Sequence, residues 1–286
     1  MSPIGVGMGI EYLVCDVFTD HALQGNQLAV FPDARGLDAE QMQTLARELN
    51  YSGSTFVFPA RAGGHAFVRI FTPVRELAFA GHPCLGTALV LAERSGLAEV
   101  VLETGSGLVP VRFSPDQGRP GFGWMTQPVP TVESFPAASE LLSGLGIERS
   151  ELPVELYDNG ARQVFIAVAS KEQVAELRPD LPRLALMGRM GINCFAGAGS
   201  SWKSRMFGPG MGIPEAPATG SAAGPLALHL VRYGRVSWGQ EIEISQGEEI
   251  GRPSRLYAVV EGRGKEAASV RVGGSALVVA RGEFLL

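Results

Sequence analysis

The chain has 286 residues, of which 45% are hydrophobic and 19% charged, and its formal net charge is −5. This length allows a full hydrophobic core in one large or two medium domains. The mild negative charge lacks blocks of like sign, which argues against nucleic acid as a partner, and three widely spaced cysteines form neither a disulfide framework nor a zinc pattern.

The N-terminal region lacks the pattern of a signal peptide, because Glu11 and Asp16 interrupt what would be its apolar stretch. No run elsewhere approaches the ~20 apolar residues of a membrane-spanning helix. We therefore expect a soluble cytoplasmic protein with no membrane partner and no metal site.

The first half reads as short strands with two helices. Asp38 begins the first helix, with Gln41 as its capping-box partner. The second helix is predicted over about 83–94. Strands are predicted over 12–19, 27–31, 55–58, 66–71, 100–103, 108–113 and 121–125.

The proline-rich segment 127–131 marks a predicted domain boundary. Beyond it, helices are predicted over 137–144 and 171–177. Strands are predicted over 163–169, 204–207, 241–245, 256–261, 269–272 and 276–280. Many strands with few helices and no regular βαβ rhythm indicate an α+β protein with antiparallel or mixed sheets.

One pattern occurs in both halves of the chain. Arg69-Ile-Phe-Thr-Pro73 leads through a linker to Gly81-His-Pro-Cys-Leu-Gly-Thr-Ala88, and Arg205-Met-Phe-Gly-Pro209 leads likewise to Ala218-Thr-Gly-Ser-Ala-Ala-Gly-Pro225. Each ends in an apolar stretch that is hydrophobic on nearly every face, which is typical of a buried helix. The duplication predicts two similar domains, each with a sheet wrapped around a central helix.

Each repeat also offers a helix start built from small residues. Unpaired N–H groups and the helix dipole at such a start attract a carboxylate or phosphate. We therefore expect an anion site between the halves, formed by Gly81–His82 and Gly220–Ser221. His82 stands at one of these starts, so a proton-handling role is favoured over a structural one. The other three histidines lack such context and are assigned to the surface or to packing.

At these residues the chain resembles the PhzF family, named for the phenazine-biosynthesis isomerase, which shares the diaminopimelate epimerase fold. The segments that carry the resemblance span the chain: Asp16–Thr19, Gly25–Val30, Phe71–Pro73, Glu76–Pro83, Ala218–Ala222, Gln246–Gly247 and Gly251–Ser254. The resemblance implies an N-terminal domain over 1–127, completed by about 279–286, and a C-terminal domain over 128–278. It also implies an enzyme that needs no cofactor, is often a homodimer, and moves a proton and a double bond in small unsaturated carboxylic acids.

The chain departs from the family at both acidic positions. The family's catalytic Glu is replaced by Gly53 in Asn50-Tyr-Ser-Gly-Ser-Thr-Phe56, and its Asp by Ala216 in Glu215-Ala-Pro-Ala-Thr-Gly-Ser221. The resemblance then leaves His82 and Glu215 as the catalytic candidates. The expected substrate-binding residues are Asn26, Ser52, Gly53, Gly81, Thr219, Gly220 and Ser221.

Four hypotheses stay open. The first is an isomerase with altered proton transfer, acting on a conjugated acid or cyclic amino acid in bacterial antibiotic biosynthesis, including an alkylproline-type unit. The second is an inactive protein that binds small carboxylates. The third, a two-thiol racemase, is disfavoured because Ala80 and Thr219 stand where its cysteines belong and Cys84 has no counterpart. The fourth is a structural role in a complex.

Overall fold

The computed structural model of the chain describes residues 9–113, 121–264 and 266–286. In the first half of this described chain the strands are β1 (Gly9–Val17), β2 (Asn26–Phe31), β3 (Ser54–Pro59), β4 (Ala66–Phe71), β5 (Glu76–Leu77), β6 (Glu99–Thr104), β7 (Gly107–Phe113) and β8 (Phe122–Gln127). The helices are α1 (Ala39–Leu49) and α2 (Gly81–Ser95).

In the second half the strands are β9 (Thr131–Ser134), β10 (Glu155–Asp158), β11 (Arg162–Ala167), β12 (Gly191–Ala198), β13 (Ser201–Gly208), β14 (Ile213–Ala216), β15 (Ile242–Gln246), β16 (Ser254–Arg263) and β17 (Glu266–Leu285). The helices are α3 (Ala138–Leu145), α4 (Lys171–Glu176), α5 (Leu181–Ala185) and α6 (Gly220–Arg232). Short 3₁₀ helices cover Pro209–Met211 and Glu248–Ile250.

The strand pairing repeats in the two halves. In the first half, β2 pairs parallel with β3, β3 antiparallel with β4, β4 parallel with β6, and β6 antiparallel with β7. Strands β11, β12, β13, β15 and β16 follow the same order of directions. The sheets are therefore mixed, and the two domains predicted from the duplication are confirmed as similar.

The described strands form one continuous sheet, and β17 pairs with strands of both halves. Up to Ser275 it pairs antiparallel with β16 and β8, and from Ala276 to Leu285 it pairs antiparallel with β1. This change of partner supports the predicted domain limits, 1–127 with about 279–286 and 128–278, and those limits remain a proposal.

A long helix lies at the centre of each domain, α2 in the first and α6 in the second. Eleven of the 15 residues of α2 and eleven of the 13 residues of α6 are buried. Helix α2 contacts the strands of the first half, and α6 contacts β11, β16 and β17. Burial on every side explains why neither helix shows the one-sided polar stripe of a surface helix.

The structure corrects two predictions. The strands expected at 269–272 and 276–280 are one strand, β17. Gly273 and Gly274 lie within this strand and pair with β8. Glycine is needed there, because a Cβ atom at Gly273 or Gly274 would meet the ring of Trp124 or Phe18, respectively. Strand β12 was not predicted, because it contains residues that are rare in strands, including Gly191 and Asn193. It lies between β11 and β13 and pairs with both.

The predicted start of α1 is confirmed. Asp38 caps α1, and its carboxylate accepts a hydrogen bond from the N–H of Gln41, whose side chain completes the capping box. Within the described residues, no helix is both long enough and apolar enough to cross a bilayer.

The starts of α2 and α6 touch. A Cβ atom at Gly81 would lie 2.8 Å from the carbonyl carbon of Gly220 and 2.9 Å from the main-chain nitrogen of Ser221. Only glycine at position 81 allows this approach, since the neighbouring atoms belong to a backbone that cannot rotate away.

We predict that Gly81→Ala lowers the free energy of unfolding by about 1–3 kcal/mol, because the new methyl group must separate the two helix starts. Urea denaturation measures the change. Gly144→Ala in α3 is the control, since its methyl group would meet the movable end of the Leu184 side chain, 2.6 Å from Cδ2, and Ala is the better helix former. Equal stability of Gly81→Ala and the native protein would contradict the prediction.

Candidate active site

A cavity of about 470 Å³ opens where the starts of α2 and α6 meet. Its walls come from both halves of the chain. Seven of the nine predicted site residues line it: Asn26, Ser52, Gly81, His82, Thr219, Gly220 and Ser221. The other two, Gly53 and Glu215, are not in the lining.

Both helices begin in the cavity wall without a side-chain cap. Ala80 precedes α2 and Thr219 precedes α6, and neither side chain accepts a hydrogen bond from the first turn of its helix. The first main-chain N–H groups of each helix therefore remain available, and both helix dipoles present their positive ends to the same cavity. This arrangement suits an anionic oxygen group between the halves.

The start of α6 is held by side chains outside the helix. Pro225 has no N–H to offer the carbonyl of Ser221, and Asn159 Nδ2 donates a hydrogen bond to that carbonyl at 3.1 Å. Gln127 Nε2 donates to the carbonyl of Gly220 at 2.9 Å. Because Gln127 belongs to β8, the first half of the chain fixes the helix start of the second.

His82 is buried beside two polar residues of the lining. Its Nε2 lies 3.4 Å from Ser52 Oγ, which donates a hydrogen bond to Asn26 Oδ1 at 2.6 Å. Asn26 Nδ2 in turn donates to the carbonyl of Ala218 at 2.7 Å. Burial lowers the pKa of His82 from 6.5 to about 3, and a hydrogen bond with the main chain of Gln27 opposes the shift. His82 is therefore neutral at physiological pH.

Positions 53 and 216, at which the resemblance implies a carboxylate, lie next to this group of residues. A Cβ atom at Gly53 would stand 2.8 Å from His82 Nε2 and 3.0 Å from Pro83 Cγ. Ala216 lines the cavity. The imidazole of His82 thus occupies the space that the first atoms of a side chain at position 53 would need.

Glu215 lies elsewhere. Its carboxylate accepts two hydrogen bonds from Arg205, from Nε and Nη2, both at 2.8 Å. Arg205 Nη1 also donates to carbonyls at the end of α4, at Val174, Ala175 and Leu177. These hydrogen bonds connect β14 to α4. The catalytic role expected of Glu215 stays a prediction, since Glu215 is not among the residues that line the cavity.

The three thiols are buried, and none belongs to the cavity lining. Burial raises the pKa of Cys15, Cys84 and Cys194 to about 12, so each remains a protonated thiol at neutral pH. The positions at which a two-thiol racemase would carry cysteines, Ala80 and Thr219, do line the cavity. The arrangement therefore offers no pair of thiolates to a substrate carbon.

Several lining residues were not foreseen. They are three arginines, one acid and a largely apolar wall: Arg75, Arg162, Arg189, Asp158, Val74, Leu77, Phe79, Met206, Met211 and Ile213. Exposed arginines carry no periodic signal in the sequence, because their place in the cavity depends on how distant segments fold together. In the described ranges, no three His, Cys, Asp or Glu side chains are grouped so that they could hold a metal ion.

Comparison with known proteins identifies the relatives of this chain. The sequence profile of the family described as "Phenazine biosynthesis-like protein" matches residues 15–282. The trans-2,3-dihydro-3-hydroxyanthranilate isomerase of Pseudomonas aeruginosa is 48% identical over 276 residues, which cover 96% of this chain and 99% of the relative.

Solved structures agree on the fold. A predicted epimerase from Pseudomonas aeruginosa has a TM-score of 0.82 and 32% identity, covering 96% of this chain and 99% of its own. A PhzF-family phenazine biosynthesis protein from Bacillus anthracis has a TM-score of 0.85 at 24% identity, covering 97% and 99%.

The buried His82 should make stability depend on pH. The folded-state pKa of about 3 lies below the ordinary 6.5, so below pH 6.5 the unfolded chain binds a proton that the folded chain does not. The free energy of unfolding should therefore fall from this residue by up to about 1.4 kcal/mol per pH unit as the pH drops from 6.5 towards 3.

Urea denaturation of the native protein and of His82→Asn between pH 7 and pH 4 isolates this contribution, because all other titrating groups are shared. We expect the variant to lose less stability with acidification than the native protein. Identical pH profiles would show that His82 titrates normally in the folded protein.

Proposed function

This chain belongs to the phenazine biosynthesis-like protein family of isomerases, and we propose that it is a cofactor-independent isomerase that shifts a proton and a double bond in a small conjugated carboxylic acid. The observation that carries the proposal is the place of His82. It is a neutral imidazole at the start of α2, in the wall of a cavity that also contains the start of α6.

In this proposal the substrate carboxylate binds between the two helix starts. The main-chain N–H groups of Gly81 and His82 on one side, and of Gly220 and Ser221 on the other, are its hydrogen-bond donors. Negative charge that develops on the conjugated carboxylate as a proton leaves carbon is stabilised by the same donors and by the two helix dipoles.

His82 carries the proton between two carbons of the substrate. One C–H bond breaks and an N–H bond forms on the imidazole, while the electron pair moves through the conjugated system towards the carboxylate. The double bond shifts, and the imidazolium returns its proton at the other end of the system. A bound anion raises the low pKa of His82, so the imidazole becomes a better base when the substrate is present.

Ser52 and Asn26 assist this transfer. The hydroxyl proton of Ser52 is donated to Asn26, so the Ser52 oxygen can offer a lone pair to His82 Nε2 and stabilise the imidazolium. The distance of 3.4 Å is long for a hydrogen bond and would shorten when His82 becomes charged. We assign Glu215 a structural role, since its carboxylate is already paired with Arg205.

The substrate differs, in our proposal, from that of the named relatives. The support is the loss of both family carboxylates, at Gly53 and Ala216, from positions in contact with His82 and the cavity. A more strongly activated conjugated acid needs less acid–base help, and bacterial antibiotic biosynthesis, including the formation of alkylproline-type units, uses such acids. The homodimer, the cytoplasmic location and the lack of nucleic-acid or membrane partners remain predictions.

The second candidate is a protein that binds such an acid without converting it. The low pKa of His82 favours this hypothesis, because an imidazole with a pKa of about 3 is a poor base. Binding of conjugated acids with neither isomer formation nor hydrogen exchange would identify this function.

We predict that His82→Asn lowers kcat by about 10²-fold or more while binding is largely kept, because the variant loses the group that takes the proton. His82→Ala should lower kcat at least as much, and Ser52→Ala less. NMR of conjugated dienoic acids in deuterated water measures turnover as conversion of the substrate signals to those of the isomer, together with any deuterium incorporation.

His21→Asn is the matched control, since His21 is exposed and outside the cavity. Near-normal exchange by both His82 variants would move the proton transfer to another group. Binding of conjugated acids by the native protein with neither isomer formation nor deuterium exchange would favour the binding protein.

We also predict that the protein isomerises trans-2,3-dihydro-3-hydroxyanthranilate far more slowly than the Pseudomonas aeruginosa relative, because Gly53 and Ala216 supply no carboxylate. Parallel NMR assays at equal enzyme concentration compare the two. Gly53→Glu alone should restore little activity, since its Cβ would stand 2.8 Å from His82 Nε2 and displace the imidazole. Rates equal to those of the relative would show that the reaction does not require the two carboxylates.

A further inference from the structure

Three arginines from separate segments line the cavity. Arg75 lies in the turn between β4 and β5, Arg162 begins β11, and Arg189 precedes β12. All three are exposed. Across the described part of the chain, none of the three guanidinium groups makes a hydrogen bond or an ion pair.

Nearby arginines outside the cavity behave differently. Arg69 is held by both carboxylate oxygens of Glu76, and Arg205 by both of Glu215. Arginine pairs readily with carboxylates wherever one is within reach. The guanidinium groups of the three cavity arginines are not held by a carboxylate in this way, so their donors are free to bind an anion inside the cavity.

The charge of the lining is opposite to that of the protein. Three guanidinium groups face a single carboxylate, Asp158, which accepts a hydrogen bond from the N–H of Gly160 at 2.8 Å. The whole chain carries a formal charge of −5. A positive wall in a negatively charged protein, inside a concave site, selects anionic ligands.

One carboxylate does not account for this wall, because the two helix starts already provide its site. The cavity volume of about 470 Å³ falls within the range of pockets that hold drug-sized molecules, and much of the remaining lining is apolar. The cavity thus has room for a longer molecule with an unsaturated hydrocarbon body.

We propose that the substrate carries two acidic groups, the first bound by the helix starts and the second by Arg75, Arg162 and Arg189. The inference rests on the proposed function, since it adds a second anionic group to the same acid. The second group is an anionic oxygen group, either a carboxylate or a phosphate, because both match the planar, multi-donor guanidinium group.

Two commercially available acids test this proposal as a matched pair. Sorbate and muconate share a six-carbon chain with two conjugated double bonds. Sorbate has one carboxylate and muconate has two. Isothermal titration calorimetry with the native protein should give a Kd for muconate at least about tenfold lower than that for sorbate, reflecting added charge-assisted hydrogen bonds. Phosphoenolpyruvate, titrated in the same way, tests a phosphate as the second group.

In the triple variant Arg75→Gln/Arg162→Gln/Arg189→Gln, the Kd values for muconate and sorbate should differ by no more than about twofold. The Kd for sorbate should itself change by less than about threefold. Arg47→Gln, on the exposed face of α1 away from the cavity, removes the same kind of charge and should keep the full preference. If the triple variant does not fold, each single variant should weaken muconate binding by about threefold. If phosphoenolpyruvate binds more tightly than muconate, the second acidic group of the substrate is a phosphate. If muconate binds more tightly, the second group is a carboxylate.

Equal affinities of the native protein for all three acids, or an unchanged preference in the arginine variants, would overturn the two-anion proposal. This outcome is separate from the test of isomerase activity. Isomerisation without a diacid preference would refute only the second site, whereas a diacid preference without isomer formation or deuterium exchange would refute only the isomerase.

Discussion

The contact between the starts of α2 and α6 is the constraint on which the rest of the site depends. Two helices that point their positive ends at each other repel, and their first N–H groups stay without partners. Hydrogen bonds between the halves hold this unfavourable pair together, from Asn26 to the carbonyl of Ala218 and from Gln127 to the carbonyl of Gly220. The ion pair of Arg252 with the buried Asp16 adds a further link. An anion bound at the junction would relieve this repulsion, which is the physical basis of the carboxylate site that we propose there.

The chemistry follows from this junction. His82 is close to a helix start and buried, and both circumstances favour its neutral form over the imidazolium. Glycine at position 53 leaves the imidazole next to Ser52, in the space that the Cβ atom of any other residue would need. The residue at position 53 therefore decides the surroundings of the titratable group of this site.

The sequence carries enough information to predict the duplication, the two helix starts and the position of His82 between them, because each depends on local signals such as small residues before an apolar helix. It is less informative about contacts made by distant segments. The pairing of Glu215 with Arg205 and the meeting of Arg75, Arg162 and Arg189 at one cavity depend on the folded sheets. Strand β12 contains residues that are rare in strands, and its pairing with β11 and β13 stabilises it. The two glycines in β17 separate two predicted strands in the sequence, whereas in the structure they lie in one strand beside aromatic rings.

Strand β17 has a consequence for the biosynthesis of the protein. Its second part is the partner of β1, and the ribosome makes it only after every strand from β2 to β16. The first half is therefore made early, but the hydrogen bonds of β1 to β17 form only after residues 276–285 have been made. During that interval one side of β1 is an open strand edge, of the kind that pairs with other chains. The order of synthesis thus exposes nascent chains to association through β1.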